Sequence, residues 1–253
     1  MREIQIKYRN GLGTRTIKLH VPSAYNEMKQ HQFIAVASLG NGLIGEMYFF
    51  QRYFGLPERL LVRLDEFQIY QLSETLNYLK TDKPDGKMLL REINGVKAPH
   101  DKLAGMSLQQ FMTVDTFFSW YNLTKKTSWI EQMACNLFMR EGESFFTEYP
   151  EPDIAYREKL SLFEAWDEEL KMATLLQWSL IKMWLSKIYP ELFAPGDGSQ
   201  KEEPSKWIDI FDSFVGDEVA DIDKYKRMEC MDALRIMNRR IKEARNEKHR
   251  RVH

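Results

Sequence analysis

Hydrophobic and polar residues alternate at the start of this chain, and apolar residues then recur at helical spacing almost to its end. Ile4, Ile6 and Tyr8 alternate with polar neighbours, Asn10-Gly11-Leu12-Gly13 supplies a turn, and Ile17, Leu19 and Val21 alternate again. Residues 1–22 therefore read as a β-hairpin. Pro22 stops the second strand, and Ser23 stands where it would cap a helix through Tyr25 and Met28. Glu46 to Tyr53 is rich in aromatics, and the segment ends at Gly55, a natural helix C-cap. Leu60, Leu61, Leu64, Phe67 and Ile69 fall at helical spacing, and Ser73 is placed to cap a short helix containing Leu76 and Leu79. Between Met88–Ile93 and Val96, the pair Asn94-Gly95 predicts a second small hairpin near residues 88–97.

The second half reads as helix throughout. Ser107-Leu108-Gln109-Gln110 and Ser128-Trp129-Ile130-Glu131 have the form of capping boxes, in which side chains at both ends satisfy backbone amides left unpaired in a first helical turn. After two prolines in Glu148–Asp153, apolar residues from Leu160 to Trp184 predict helix up to Tyr189, with a break near Glu168, and Pro190 ends it. Residues 191–205 read as a linker, carrying Pro195, Gly196, Gly198 and Pro204. A short helix with Trp207, Phe211 and Phe214 follows. A terminal helix then places Tyr225, Met228, Leu234, Met237 and Ile241 on one side. The expected architecture is mainly α: a hairpin over 1–22, a helical core over 23–190, the linker, and a helical segment with a basic tail over 206–253.

One motif competes with that picture. The apolar run Phe33–Ala37 leads into Gly40-Asn41-Gly42-Leu43-Ile44-Gly45, and a second run, Leu60–Leu64, ends at Asp65. In a strand–loop–helix–strand unit, Gly40, Gly42 and Gly45 would let a backbone approach a pyrophosphate, and Asp65 would hold a ribose hydroxyl. The motif needs flanking strands, yet Leu60, Leu61 and Leu64 fit the helical period that runs on through Ile69. On that reading the glycines end one helix and start another. A dinucleotide-binding enzyme stays an alternative that turns on whether Leu60–Leu64 is strand or helix.

Composition narrows the remaining chemistry. Lysine plus arginine nearly balances aspartate plus glutamate, for a formal net charge of −1, so no global field draws the chain to nucleic acid or membrane. The longest apolar stretch, Met172 to Tyr189, is interrupted by Lys182 and Lys187, which a membrane span would tolerate poorly. Cys135 and Cys230 form no CxxC pair, and the five histidines form no HxxxH pair, so neither a metal nor a cofactor is expected. Charge does cluster at the end: Arg239, Arg240, Lys242, Arg245, Lys248, Arg250 and Arg251 are candidate contacts for phosphates or an acidic partner. The competing reading is a helix C-terminus favoured by cations.

The order of elements has a likeness. Leu103-Ala104-Gly105-Met106-Ser107-Leu108-Gln109-Gln110-Phe111-Met112-Thr113-Val114-Asp115 leads to Trp129 and a helix, and Trp207-Ile208-Asp209-Ile210-Phe211 precedes an acidic turn and a basic helix. This resembles small phage-encoded virion-morphogenesis proteins, particularly the tail-assembly-chaperone-like group, in pattern over residues 100–250 and without a signature motif. The resemblance implies a non-enzymatic helical protein that forms homo-oligomers and binds tail or neck proteins through apolar helix faces, in the host cytoplasm or the virion. This chain is longer than typical members, which leaves a neck or tail connector role open. The candidate partner-binding stripes are Tyr48/Phe49/Tyr53 and Met228/Met237/Ile241; each would otherwise be ordinary core.

Overall fold

Two nine-residue strands, β1 (Arg2–Asn10) and β2 (Gly13–Val21), pair antiparallel from Arg2 opposite Val21 to Asn10 opposite Gly13. The computed structural model describes residues 1–10, 13–193, 206–216 and 221–252, with backbone alone for residues 10 and 248–252. The sequence alternation becomes two faces. Ile4, Ile6, Tyr8, Ile17 and Leu19 turn inward against the core, and their polar neighbours face out.

Helices follow: α1 (Gln30–Gly40), α2 (Glu46–Phe54), α3 (Glu58–Leu61), α4 (Glu66–Glu74) and α5 (Tyr78–Thr81). Then come the short strands β3 (Glu92–Ile93) and β4 (Val96–Lys97), α6 (Leu108–Thr124), α7 (Ser128–Leu137) and β5 (Met139–Arg140). The chain continues through α8 (Pro152–Glu164), α9 (Glu168–Ile188), α10 (Pro190–Phe193), α11 (Lys206–Val215), α12 (Ile222–Arg227) and α13 (Cys230–Val252). The fold is mainly α with an N-terminal hairpin and a small three-stranded sheet.

The core is organised around α9, which packs against α1 and α7 and buries Ala173, Trp178, Ile181 and Leu185. The polar residues that interrupt its apolar pattern have defined partners. Gln177, fully buried, accepts from the backbone N–H groups of Leu89 and Leu90 at 2.7 and 3.3 Å and donates to the Lys87 carbonyl at 3.1 Å. One side chain thus satisfies three groups of a loop that forms no ladder of its own. This explains why the second hairpin is shorter than Met88–Ile93 implies: the amides of Leu89 and Leu90 are taken by Gln177, and that of Met88 by Asp101 at 2.9 Å. Among the described residues, no helix is long and apolar enough to cross a membrane.

Helix boundaries follow local hydrogen bonds, sometimes against the sequence expectation. Ser107 accepts from the Gln110 N–H at 3.2 Å, while the Gln110 side chain turns to the Asn136 carbonyl at 2.9 Å, so half of the expected box forms. Asp167 caps α9 by accepting from the Leu170 N–H at 2.8 Å, giving the break before Glu168. Ser128 does not cap α7, because a helical Thr127 already precedes it and the Ile130 N–H bonds the Thr127 carbonyl at 2.8 Å. Ser23 opens only a single 3-10 turn over Tyr25–Glu27, held by its N–H and hydroxyl on Glu27 at 2.7 and 2.8 Å. Ser73 lies inside α4 and donates to the Ile69 carbonyl. Tyr225 and Met228 are not on the last helix: the Met228 carbonyl accepts from the Leu108 N–H at 2.9 Å, and the Cys230 N–H donates to Met106 at 2.8 Å. That bridge breaks the chain between α12 and α13. Most of the expected linker, residues 194–205, lies outside the described residues.

Candidate interaction surface

The glycine cluster sits at a corner between two helices. Phe33–Ala37, which a nucleotide loop needs as strand, lies inside α1; Gly40 ends α1, Gly42 takes a φ of +70°, and Gly45 is the N-cap residue of α2. Leu60 and Leu61 lie in α3. Asp65 accepts from the Gln68 N–H at 2.9 Å and donates its own N–H to the Gln68 side chain at 2.8 Å, a reciprocal capping box at the start of α4. The reading of Gly40, Gly42, Gly45 and Asp65 as a dinucleotide site is therefore corrected. Phe33–Ala37 is helix, Leu60–Leu64 is the end of a short helix followed by a turn that also interrupts the helical period expected through Ile69, and both described sheets are antiparallel.

The two proposed docking stripes divide between core and surface. Phe49 and Tyr53 are 1% exposed, and Tyr53 shares a hydroxyl–hydroxyl hydrogen bond with buried Tyr78. Met237 is buried, while Met228 and Ile241 are half-buried against the same core. Tyr48 alone faces solvent, with the Arg52 guanidinium 5.6 Å from its ring centre. Helical spacing marks a face as apolar, but α2 and α13 turn those faces inward, and Met228 lies before α13 begins. As a partner-binding set, Phe49, Tyr53 and Met237 are excluded by burial.

The basic segment is partly committed as well. Arg240 donates to the Phe214 carbonyl at 2.6 Å and lies over the Phe214 ring, so it satisfies a carbonyl at the end of α11. Arg245 pairs with Glu191 on α10, and Arg239 with Glu243 at 3.8 Å. Lys242 is exposed, and the side chains of Lys248, Arg250 and Arg251 lie outside the described part of the structure.

A charged cluster that spacing did not reveal lies at the centre. Asp115, 1% exposed, accepts from Trp178 Nε1 at 3.0 Å on one oxygen, and from Lys182 Nζ and Trp207 Nε1, both at 2.7 Å, on the other. Phe111 packs against both indoles, with ring centres 5.5 and 5.1 Å away. Burial pushes the Asp115 carboxyl up, but the Lys182 ammonium and the three hydrogen bonds outweigh it and hold the group below its ordinary range. Two further enclosed pairs, Lys159–Glu143 at 3.1 Å and Lys171–Glu131 at 2.7 Å, tie α8 and α9 to their neighbours. Each of these charges has a partner within the chain, and the arrangement serves to hold helices together.

The surface feature that stands out is aromatic. Phe117 and Trp120, three residues apart on α6, both stack on Trp129 in the first turn of α7, with centres 5.9 and 5.6 Å apart and planes within 23° and 20°. The turn between the helices is set by Lys125 in the left-handed region (φ +57°), whose N–H closes on the Tyr121 carbonyl at 2.7 Å and whose ammonium lies over the Tyr121 ring. Trp120 is 38% exposed and Leu123, on the same helix, 47%. The buried Trp129 Nε1 donates to no acceptor among the described residues. Phe117 and Trp129 are half-buried, so Trp120 is the ring of the stack that faces water, and an exposed tryptophan with an exposed leucine one turn along the same helix is suited to contact. The Ser128–Glu131 motif places Trp129 at a helix start, but only the tight α6–α7 turn brings it against Phe117 and Trp120.

Comparison with family models, with curated proteins and with solved structures finds no match for this chain.

Proposed function

We propose that this chain is a non-enzymatic assembly or structural protein of a phage particle, a tail-assembly chaperone or neck/tail connector, that binds tail proteins through an apolar helix-corner surface. The observation that carries the reading is the Phe117–Trp129–Trp120 stack with Leu123 beside it. Large, stiff aromatic groups give contact area at small entropic cost and dominate protein interfaces. The element order over residues 100–250 points to the class of particle.

A titration of the full chain against the tape-measure and tail-tube proteins of the same particle tests it. Saturable binding is expected to one of them, weakened about 30-fold or more by Trp120→Ala combined with Leu123→Asp, since central interface aromatics contribute about 2 kcal/mol or more. Both positions face solvent, so helical content should be unchanged. Binding that is indifferent to the double variant, or no binding to either protein, overturns the reading.

A further inference from the structure

The outer edge of the N-terminal hairpin is an unpaired template. In an antiparallel pair, alternate residues point their N–H and C=O groups toward the partner strand, and the others point them away. The Lys7 carbonyl accepts from the Gln68 side chain, so Lys7 and its even-spaced neighbours in β1 point outward. By the observed register, their opposites in β2 are Thr14, Thr16, Lys18 and His20. On the β1 side, α4 touches this edge through Gln68 on Lys7, and Arg2 reaches the Glu74 carbonyl. On the β2 side, the backbone groups of Thr14, Thr16, Lys18 and His20 meet no partner among the described residues, and their side chains are exposed. β2 carries no proline and no bulge to blunt this edge.

We infer that β2 pairs with β2 of a second copy of this chain, antiparallel about a two-fold axis through Ile17, to form a four-stranded sheet. The sequence fits one self-pairing register. With Ile17 opposite its own copy, Thr16 lies opposite Lys18 and Thr14 opposite His20, so all four outward residues of each strand find a hydrogen-bonding counterpart. No like charges then stand opposite each other. Shifting the register by two residues either sets Lys18 against Lys18 or leaves an outward residue of each strand unpaired, and like charges directly opposite are unfavourable. On the inward face this register joins Ile6 and Ile17 of one copy to Ile17 and Ile6 of the other, one apolar row across four strands. On the outward face Gln5, Lys18, Thr16 and Lys7 alternate across the sheet without an acid pair or an exposed apolar group. An isologous contact of this kind closes at two copies and leaves no free β2 edge. The inference gives a geometry to the homo-oligomer that the sequence resemblance implies and does not depend on the α6–α7 surface.

The mass of the full chain by sedimentation, with and without two substitutions, decides it. The wild type is expected at twice the chain mass at micromolar concentration. Thr16→Pro removes an outward N–H and no bond within the hairpin; two inter-copy hydrogen bonds go, and the dimer dissociation constant should rise about 30-fold or more with helical content retained. Ile17→Cys should give a disulfide-linked dimer on mild oxidation, because a non-hydrogen-bonded pair brings Cβ atoms within about 5 Å. Thr14→Cys, set across from His20, should not. A wild type that stays monomeric, a dimer untouched by Thr16→Pro, or an Ile17→Cys chain that does not cross-link overturns the inference. If Thr16→Pro misfolds, the two cysteine variants decide alone. A wild type that is monomeric and still binds a tail protein would sink this inference and leave the proposed function standing; a wild-type dimer that binds neither tail protein would do the opposite.

Discussion

Asp115 shows what a single buried charge does when every one of its partners is supplied by the same chain. Two indoles and an ammonium surround it, so replacing it strands Lys182 in a site that is otherwise closed. Asp115→Asn should cost about 3–5 kcal/mol near neutral pH, the range for breaking one side of a buried ion pair, measured by urea unfolding. The pH dependence has a definite sign. A carboxyl held below its ordinary range gives stability that is complete above the unfolded value, about 3.9, and is lost as pH falls further. Unfolding free energy between about pH 5 and about pH 2.5 should therefore fall less steeply in Asp115→Asn than in the wild type. A parallel loss in both proteins would mean that Asp115 is not the group titrating. The thiols make a simpler case. Burial pushes Cys135 up to about 11 and Cys230 well above its ordinary value. Neither should react with a thiol reagent at mildly alkaline pH until the chain is unfolded; rapid labelling of the native protein would contradict that.

At the scale of the element, two glycines in similar backbone conformations should respond differently to the same change. Gly95 completes the turn between β3 and β4 at φ +81°, and a methyl group there meets open space. Gly86 has φ +86°, but a Cβ on it would come within 2.8 Å of the Trp184 indole on α9, while its carbonyl accepts from Lys102. Gly95→Ala should cost about 1 kcal/mol from backbone strain alone. Gly86→Ala drives its methyl group into the Trp184 indole, which is 8% exposed and has little room to retreat, so about 1–3 kcal/mol more is expected. Equal midpoints in denaturant for the two variants would refute the packing argument. This contrast also marks what the sequence can and cannot say. Asn94-Gly95 was legible because a tight turn is a local requirement. The partner of Gly86 was not, because Trp184 lies almost a hundred residues away. β5 escaped notice for a related reason: two residues carry no period, and only pairing with β4 makes them a strand. The glycine corner could be read both ways until Leu60 and Leu61 proved helical, since apolar runs of that length suit strand and helix alike.

For the molecule as a whole, the open question in the sequence was whether residues 206–253 form a unit apart. Trp207, Phe211, Leu234 and Met237 belong to the same buried cluster as Phe33, Phe111 and Trp178, and α13 packs on α10 and α6. The Trp207 indole reaches Asp115 on α6, which also binds Trp178 on α9, so one carboxylate joins segments 92 residues apart in sequence. A unit connected in this way should unfold together with the rest. Helical signal and tryptophan fluorescence are expected to give superimposable thermal transitions in the wild type. Trp207→Phe keeps the ring packed against Phe111 and Phe193 but removes the donor to a buried charge, a loss of about 1.5–3 kcal/mol. The midpoint should drop by roughly 3–12 °C, at about 2–4 °C per kcal/mol for a chain of this size, and the two signals should still coincide. If fluorescence instead shifted ahead of the helical signal in that variant, α11 would be releasing on its own, ahead of the core that α13 packs on.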